Sequence, residues 1–220
     1  MKMKKILAFF CLMPITLFAQ YFNVNDYGAK GNGTLCTAAI QKTIDAAAAN
    51  GGGRVIVPAG KYLSGPLFLR SNIVFEVCSG AVIYFHNDIA NTPAIMGSWE
   101  GINRRVYASL FTGHDLENVT ITGRGQIDGQ GKVWWDAFWK TDKIRMQSGI
   151  REREPDNPKG SPLKYPRPRM INLYRCNNVQ ISDLSITNSP SWTIHPVYCR
   201  NVNIRGVSIV QPYEDRKSTR

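Results

Sequence analysis

One short unit recurs along this chain: an asparagine, a β-branched residue, any residue, then an apolar one. It stands at Asn72-Ile-Val-Phe75, Asn118-Val-Thr-Ile121, Asn178-Val-Gln-Ile181 and Asn201-Val-Asn-Ile204. The last two copies lie 23 residues apart, and their alignment runs past the unit itself: Cys176 meets Cys199, Asp183 meets Gly206, Leu184 meets Val207, and Ile186 meets Ile209. A fixed period of that size, written in short strands broken by Gly, Asn or Asp, describes a solenoid. Two such strands around a tight corner suit a parallel β-helix better than a leucine-rich horseshoe. Equivalent residues then stack about 4.8 Å apart along the axis. Val179 is expected over Val202 and Ile181 over Ile204, in continuous apolar columns.

The same alignment assigns other positions. Asp183, matched with Gly206 and with Gly123 of the preceding copy, is expected at a corner in the left-handed conformation. Cys176 over Cys199 reads as a stacked pair of small core residues, at a spacing that also permits a disulfide. Ahead of the repeats a helix is expected. Thr37 can cap it, Ile40, Ile44 and Ala47 with Ala48 share a face, and Asn50-Gly51-Gly52-Gly53 stops it. Its role would be to cover the open end of the coil, where backbone groups and core are otherwise bare. Gly31-Asn32-Gly33 lacks the lysine and the spacing of a phosphate loop and reads as a turn. Arg54 to Pro58 reads as a buried strand. From 131 to 168 the repeat gives way to a polar loop excursion. Its Trp134, Trp135, Phe138 and Trp139 have helical spacing and read mainly as packing residues, with stacking on sugar rings as the other reading. Arg151-Glu-Arg-Glu154, followed by Pro155, Pro158 and Pro162, is a charged loop of the kind that walls a groove.

Composition narrows the partners. The chain is 43% hydrophobic, which is globular rather than disordered, and its 27 Lys+Arg against 16 Asp+Glu give a charge of +11. An apolar stretch from Ile6 to Ala19 behind Lys2, Lys4 and Lys5 is too short to span a membrane. It reads as a signal peptide over 1–19, leaving 20–220 as one β-helix domain. Phe10 before Cys11 does not suit a lipoprotein site. A periplasmic or extracellular location follows from that leader. Its removal leaves 24 basic against 16 acidic residues. Such an excess concentrates polyanions, and an exported protein meets acidic polysaccharide rather than nucleic acid, for which no motif is present. Cys36, Cys78, Cys176 and Cys199 remain and allow three disulfide connectivities. None of them shows metal-ligand spacing and His86, His114 and His195 are scattered, so no metal site is expected.

Longer strings carry a family resemblance. Asn25-Asp-Tyr-Gly-Ala-Lys-Gly-Asn-Gly33, Ala39-Ile-Gln-Lys-Thr-Ile-Asp45, Gly51-Gly-Gly-Arg-Val-Ile-Val-Pro58 and Tyr62-Leu-Ser-Gly-Pro-Leu67 resemble the opening of pectin-degrading β-helix proteins. Gly125-Gln-Ile-Asp-Gly-Gln-Gly131 with Trp134-Trp135, Arg167-Pro-Arg-Met170, Asn188-Ser-Pro-Ser-Trp192 and Ile194-His-Pro196 resemble glycoside hydrolase family 28, the polygalacturonases. The resemblance implies an all-β, right-handed parallel β-helix of the pectin-lyase-like kind with an N-terminal capping α-helix. It implies hydrolysis of α-1,4 linkages between galacturonates in pectin, with inversion, by a monomeric full-length protein without cofactor or membrane span.

Four family segments are missing: Asn-Thr-Asp, Asp-Asp, Gly-His-Gly and Arg-Ile-Lys, which supply acid, base and substrate clamp. The chain is therefore expected to be a fragment truncated at the C-terminal side, and no catalytic residue is assigned to it. Inverting hydrolysis needs two carboxyl groups about 6.5–9.5 Å apart. Asp128 falls in a glycine turn, Asp183 at a corner and Glu152 and Glu154 in the charged loop. Glu214 and Asp215 are neighbours whose side chains would point to opposite faces of a strand. For substrate binding the resemblance places Asn188, Trp192 and His195 near a groove floor, against plainer roles as corner, core aromatic and buried imidazole. Arg167 and Arg169 either meet uronate carboxylates or sit in a solvated loop. Two other functions remain open. One is a polysaccharide lyase, for which the sequence shows no calcium-binding acid cluster. The other is a non-catalytic polysaccharide-binding β-helix.

Overall fold

The computed structural model describes residues 20–149 and 157–212. The expected signal peptide, the charged run from Arg151 to Pro155 and the Glu214-Asp215 pair lie outside the described residues.

Three parallel sheets form the faces of a prism. The first stacks Tyr21–Asn23, Gly53–Val57, Ile73–Val77, Glu117–Gly123, Asn177–Ser182 and Arg200–Arg205. Gly60–Ser64, Ala81–Phe85, Gln126–Asp128, Ser185–Thr187 and Ser208–Val210 build the second, with Asn32–Leu35 at one edge. A third, shorter sheet holds Leu67–Phe68, Phe111–His114, Ile171–Tyr174 and Ile194–Val197. The chain visits first, second and third sheet in turn and then repeats the circuit one rung further on. This is a parallel β-helix, as the repeat predicts.

Register confirms the stacking residue by residue. Ile121 pairs with Phe75 on one side and Ile181 on the other, and Ile181 pairs with Ile204; Val179 likewise sits between Val119 and Val202. Inward positions alternate with outward ones, so each column is buried by the rungs above and below it. Burying one such aliphatic side chain is worth about 1.5–3 kcal/mol, and the columns supply the main core.

The repeat begins with asparagine for a stereochemical reason. Asn72, Asn118, Asn178 and Asn201 all have positive φ, between +53° and +62°, where the chain turns into the first sheet. Asparagine tolerates that conformation better than other side chains with a Cβ. Its amide then joins a ladder: Asn118 Nδ2 donates to Asn72 Oδ1 and Asn178 Nδ2 to Asn118 Oδ1, each at 2.8 Å. At the next corner Asp183 has φ +63° and Gly206 φ +61°, as the alignment predicts. A Cβ on Gly123, the third member, would lie 2.0 Å from the Val77 carbonyl oxygen, so that rung admits only glycine.

Helix α1, Thr37–Ala49, covers one end of the prism with Ile40, Thr43, Ile44 and Ala47 buried. Thr37 is not its cap. Cys36 takes the N-cap position, its carbonyl accepting the Ile40 N–H at 3.0 Å while its own N–H donates to the Leu63 carbonyl. The Thr37 hydroxyl instead accepts the Gly65 N–H at 2.6 Å. Gly31-Asn32-Gly33 is likewise more than a turn: after Gly31, at φ +63°, Asn32 opens an edge strand beside Lys61.

The 131–168 excursion is a helix for much of its length rather than a polar loop. Helix α2, Lys132–Gln147, buries Trp134 and Trp135. Trp134 packs edge-on to Tyr107, with ring centroids 5.2 Å apart, and Trp135 Nε1 donates to the Ser189 carbonyl at 2.9 Å. Packing therefore occupies both indoles. A second element has no counterpart in the sequence reading: Ala94–Trp99 and Ile102–Tyr107 form an antiparallel hairpin turned at Glu100-Gly101, both with positive φ. Cys36, Cys78, Cys176 and Cys199 are free thiols, and the Cys176 N–H points at Cys199 Sγ at 3.4 Å.

Candidate functional site

The third sheet gathers the polar and aromatic residues that can do chemistry. Phe111, Ile171 and Leu173 face the core, so the alternate residues face outward. Register aligns Thr112 with Asn172 and His195 in one outward row, and His114 with Tyr174 and Val197 in the next. The hairpin lies over this face, with Trp99 at its tip stacked on Trp192 at 6.1 Å and an interplanar angle of 1°. Trp192 in turn lies 5.3 Å from the His195 ring.

His195 is held in one state. Its Nδ1 lies 2.9 Å from Asn172 Oδ1, an acceptor, which places the imidazole proton on Nδ1 and leaves the Nε2 lone pair available. Burial, helped by the charge of Arg169, pushes its pKa down to about 4. At neutral pH the ring is an uncharged acceptor suited to a sugar hydroxyl. Arg169 is buried, its guanidinium 3.8 Å from the Trp99 ring and 4.8 Å from that of Trp192. Arg167 is buried too, over the Phe138 ring at 4.3 Å and donating to the Pro190 carbonyl at 2.7 Å. The solvated-loop reading of these two arginines is thus wrong: their flanking prolines lie beneath the hairpin and α2, not in water.

Beside this cluster is a cavity of about 190 Å³ between hairpin and sheet, walled by Met96, Asn103, His114 and Tyr174. Burial lowers the His114 pKa. At the cavity edge Arg175 grips Asp115 with Nε and Nη2, at 2.6 and 2.9 Å. A larger recess at the corner between the first and second sheets contains Glu76 and Asp183. It offers no aromatic platform, and Glu76 is tied to Arg54 at 2.6 Å.

Of the residues singled out from sequence, the structure brings Trp192 and His195 together. Asn188 is placed elsewhere, at φ +51° with its Nδ2 donating to Asp128 Oδ1 at 3.0 Å. No strand of the third sheet contains an aspartate or glutamate. Asp128 spends its Oδ1 on Asn188 and the Gln130 N–H, and Asp183 is exposed at its corner. Among the described residues no three His, Cys, Asp or Glu side chains are grouped to hold a metal ion, and no helix is long and apolar enough to cross a membrane. Missed from sequence were Trp99, Asn172, His114 and Tyr174.

Residues 50–219 match the model of glycosyl hydrolases family 28. The chain belongs to this family. Residues 21–76 also match the model described as rhamnogalacturonase A/epimerase, pectate lyase-like. A probable polygalacturonase of Vitis vinifera is 36% identical over 208 residues, covering 90% of this chain and 38% of the relative. The crystal structure of a hyperthermoactive exopolygalacturonase from Thermotoga maritima superposes with a TM-score of 0.73 at 35% identity, over 87% of this chain and 47% of that one. A family 28 exopolygalacturonase of Yersinia enterocolitica gives 0.68 at 26% identity, over 88% and 39%. This family 28 chain thus spans less than half the length of these relatives.

Proposed function

We propose that this chain forms the N-terminal part of an exported pectin hydrolase. That enzyme cleaves α-1,4-galacturonosyl linkages with inversion, on a groove over the outward face of the third sheet. The match of residues 50–219 to family 28 carries the reading. The aromatic and cationic cluster of Trp192, His195 and Arg169 supports the placement of the groove, and the excess of basic residues favours an anionic polymer. Inversion requires an acid and a base carboxyl about 6.5–9.5 Å apart. Among the described residues the third-sheet strands supply neither, and on this reading the 220-residue chain binds without turning over.

Incubation with polygalacturonate tests this directly. The chain is expected to be retained on immobilised substrate with no release of reducing ends. Reducing-end release would show that the acids are present after all, and unsaturated products absorbing in the ultraviolet would indicate a lyase. Export by the leader predicts a mature N-terminus at Gln20.

A further inference from the structure

Arg169 is 3% exposed, and its Nε and Nη2 atoms are shut off from solvent with no hydrogen-bond partner among the described residues. Its Nη1 donates to the Arg167 carbonyl at 3.3 Å. The two indoles stabilise the cation through their ring faces but bring no negative charge. Burial and the charge of Arg167 push its pKa down to about 9, which still leaves it protonated at neutral pH. Buried charges in folded proteins are normally paired, and an arginine has no ready neutral form.

Arg175 shows what the same atoms do elsewhere in this molecule. Its Nε and Nη2 share one edge of the planar guanidinium, and that edge meets both oxygens of Asp115. Two parallel N–H groups at the spacing of a carboxylate make this edge the bidentate one. In Arg169 the equivalent edge meets no protein acceptor among the described residues, although it lies beside Trp192 and His195.

We propose that the Nε–Nη2 edge of Arg169 receives the carboxylate of a uronate unit, making Arg169 a specificity-determining residue of the groove. The proposal rests on the groove reading above and deepens it. Trp192 offers a ring face next to the bound sugar, and the neutral His195 Nε2 accepts from a hydroxyl. Because both donor atoms are covered, the carboxylate enters as the hairpin tip yields. At that tip Trp99 stacks on Trp192, and along the hairpin Met96 is 59% exposed and Ile102 66%. A neutral sugar of the same shape would leave the cation unpaired and is rejected on that ground.

The test is a titration of the 220-residue chain with trigalacturonate and, in parallel, with the neutral galactose trimer, read by calorimetry and by tryptophan emission. Wild type is expected to bind the uronate and to ignore the neutral sugar. Arg169→Met should weaken uronate binding by about tenfold or more, the loss typical of one hydrogen-bonded charge pair. Arg169→Lys keeps the charge but lacks the fork, so it should lose much of the affinity with an unchanged circular dichroism spectrum, even if the Met variant folds poorly. Uronate binding unaffected by either substitution would overturn the role of Arg169 and leave the groove reading standing. Equal affinity for the neutral sugar would overturn the carboxylate contact. A wild-type chain that binds neither trimer would overturn both the inference and the groove.

Discussion

The two ends of the prism are built from the same kind of rung, yet they differ in what lies beyond them. At one end α1 lays Ile40, Ile44 and Ala47 across the core, and all three are fully buried. At the other, Val202, Ile204, Ile209 and Val210 are between 36% and 59% exposed. Ile181 and Ile204 occupy directly paired positions of one column, and among the described residues only the first has a rung on both sides. In a solenoid a side chain is made into core by its neighbours along the axis, so the same residue is worth different amounts at different heights.

Core truncation should show the largest contrast. Ile44→Ala is expected to cost about 2–5 kcal/mol and Ile204→Ala less than about 1 kcal/mol, compared by urea denaturation followed by circular dichroism. Equal losses at the two sites would break the comparison. The Ile204 rung also presents apolar residues beside a strand edge that no described strand pairs, so the 220-residue chain should self-associate as concentration rises. Sedimentation should show this, and Ile204→Lys with Ile209→Lys should reduce it. A monomer at every concentration would contradict the expected stickiness of that end.

The asparagine ladder sharpens the comparison at a smaller scale. Asn118 bonds to the rungs on both sides, whereas among the described residues the Asn201 amide bonds to one rung, donating to Asn177 Oδ1 at 3.0 Å. Asn118→Ala should cost about 1–2 kcal/mol, through lost amide bonds and a left-handed backbone without an asparagine, and Asn201→Ala roughly half of that. Acid should have a milder effect, centred on the groove. Burial lowers the pKa of His86, His114 and His195, so the unfolded chain takes up protons below about pH 6.5 while the folded chain resists. Their contribution is present above that pH and is lost as pH falls towards 4, the folded value for His195. The melting temperature should fall across that window, and His195→Gln should flatten the slope. A rise on acidification would mean that the imidazoles gain, rather than lose, by burial.

What was legible in the sequence was whatever repeats. Columns and corners follow from a period that backbone stereochemistry imposes on every rung, and the covering helix from the helical spacing of Ile40, Ile44 and Ala47, so Ile181 over Ile204 and the turn at Asp183 could be read directly. The proposed groove follows no period. Its strands are only two to four residues long and mix Asn172, Tyr174 and His195 into the pattern, because their outward face meets the hairpin rather than the core. The hairpin that covers them carried one signal, the Glu100-Gly101 pair between Trp99 and Ile102, which suits a two-residue turn with both residues at positive φ. The burial of Arg169 carried none, since a charged residue between prolines looks like a loop until the indoles of Trp99 and Trp192 are folded against it.

Hydrogen exchange of the 220-residue chain, resolved by segment and measured with and without trigalacturonate, tests the placement of the groove most directly. Added protection should concentrate in Ile171–Tyr174, Ile194–Val197 and the hairpin Ala94–Tyr107, with the first sheet unchanged. Protection centred on the Glu76 and Asp183 corner, or no response anywhere, would contradict the assignment of the third sheet as the substrate face.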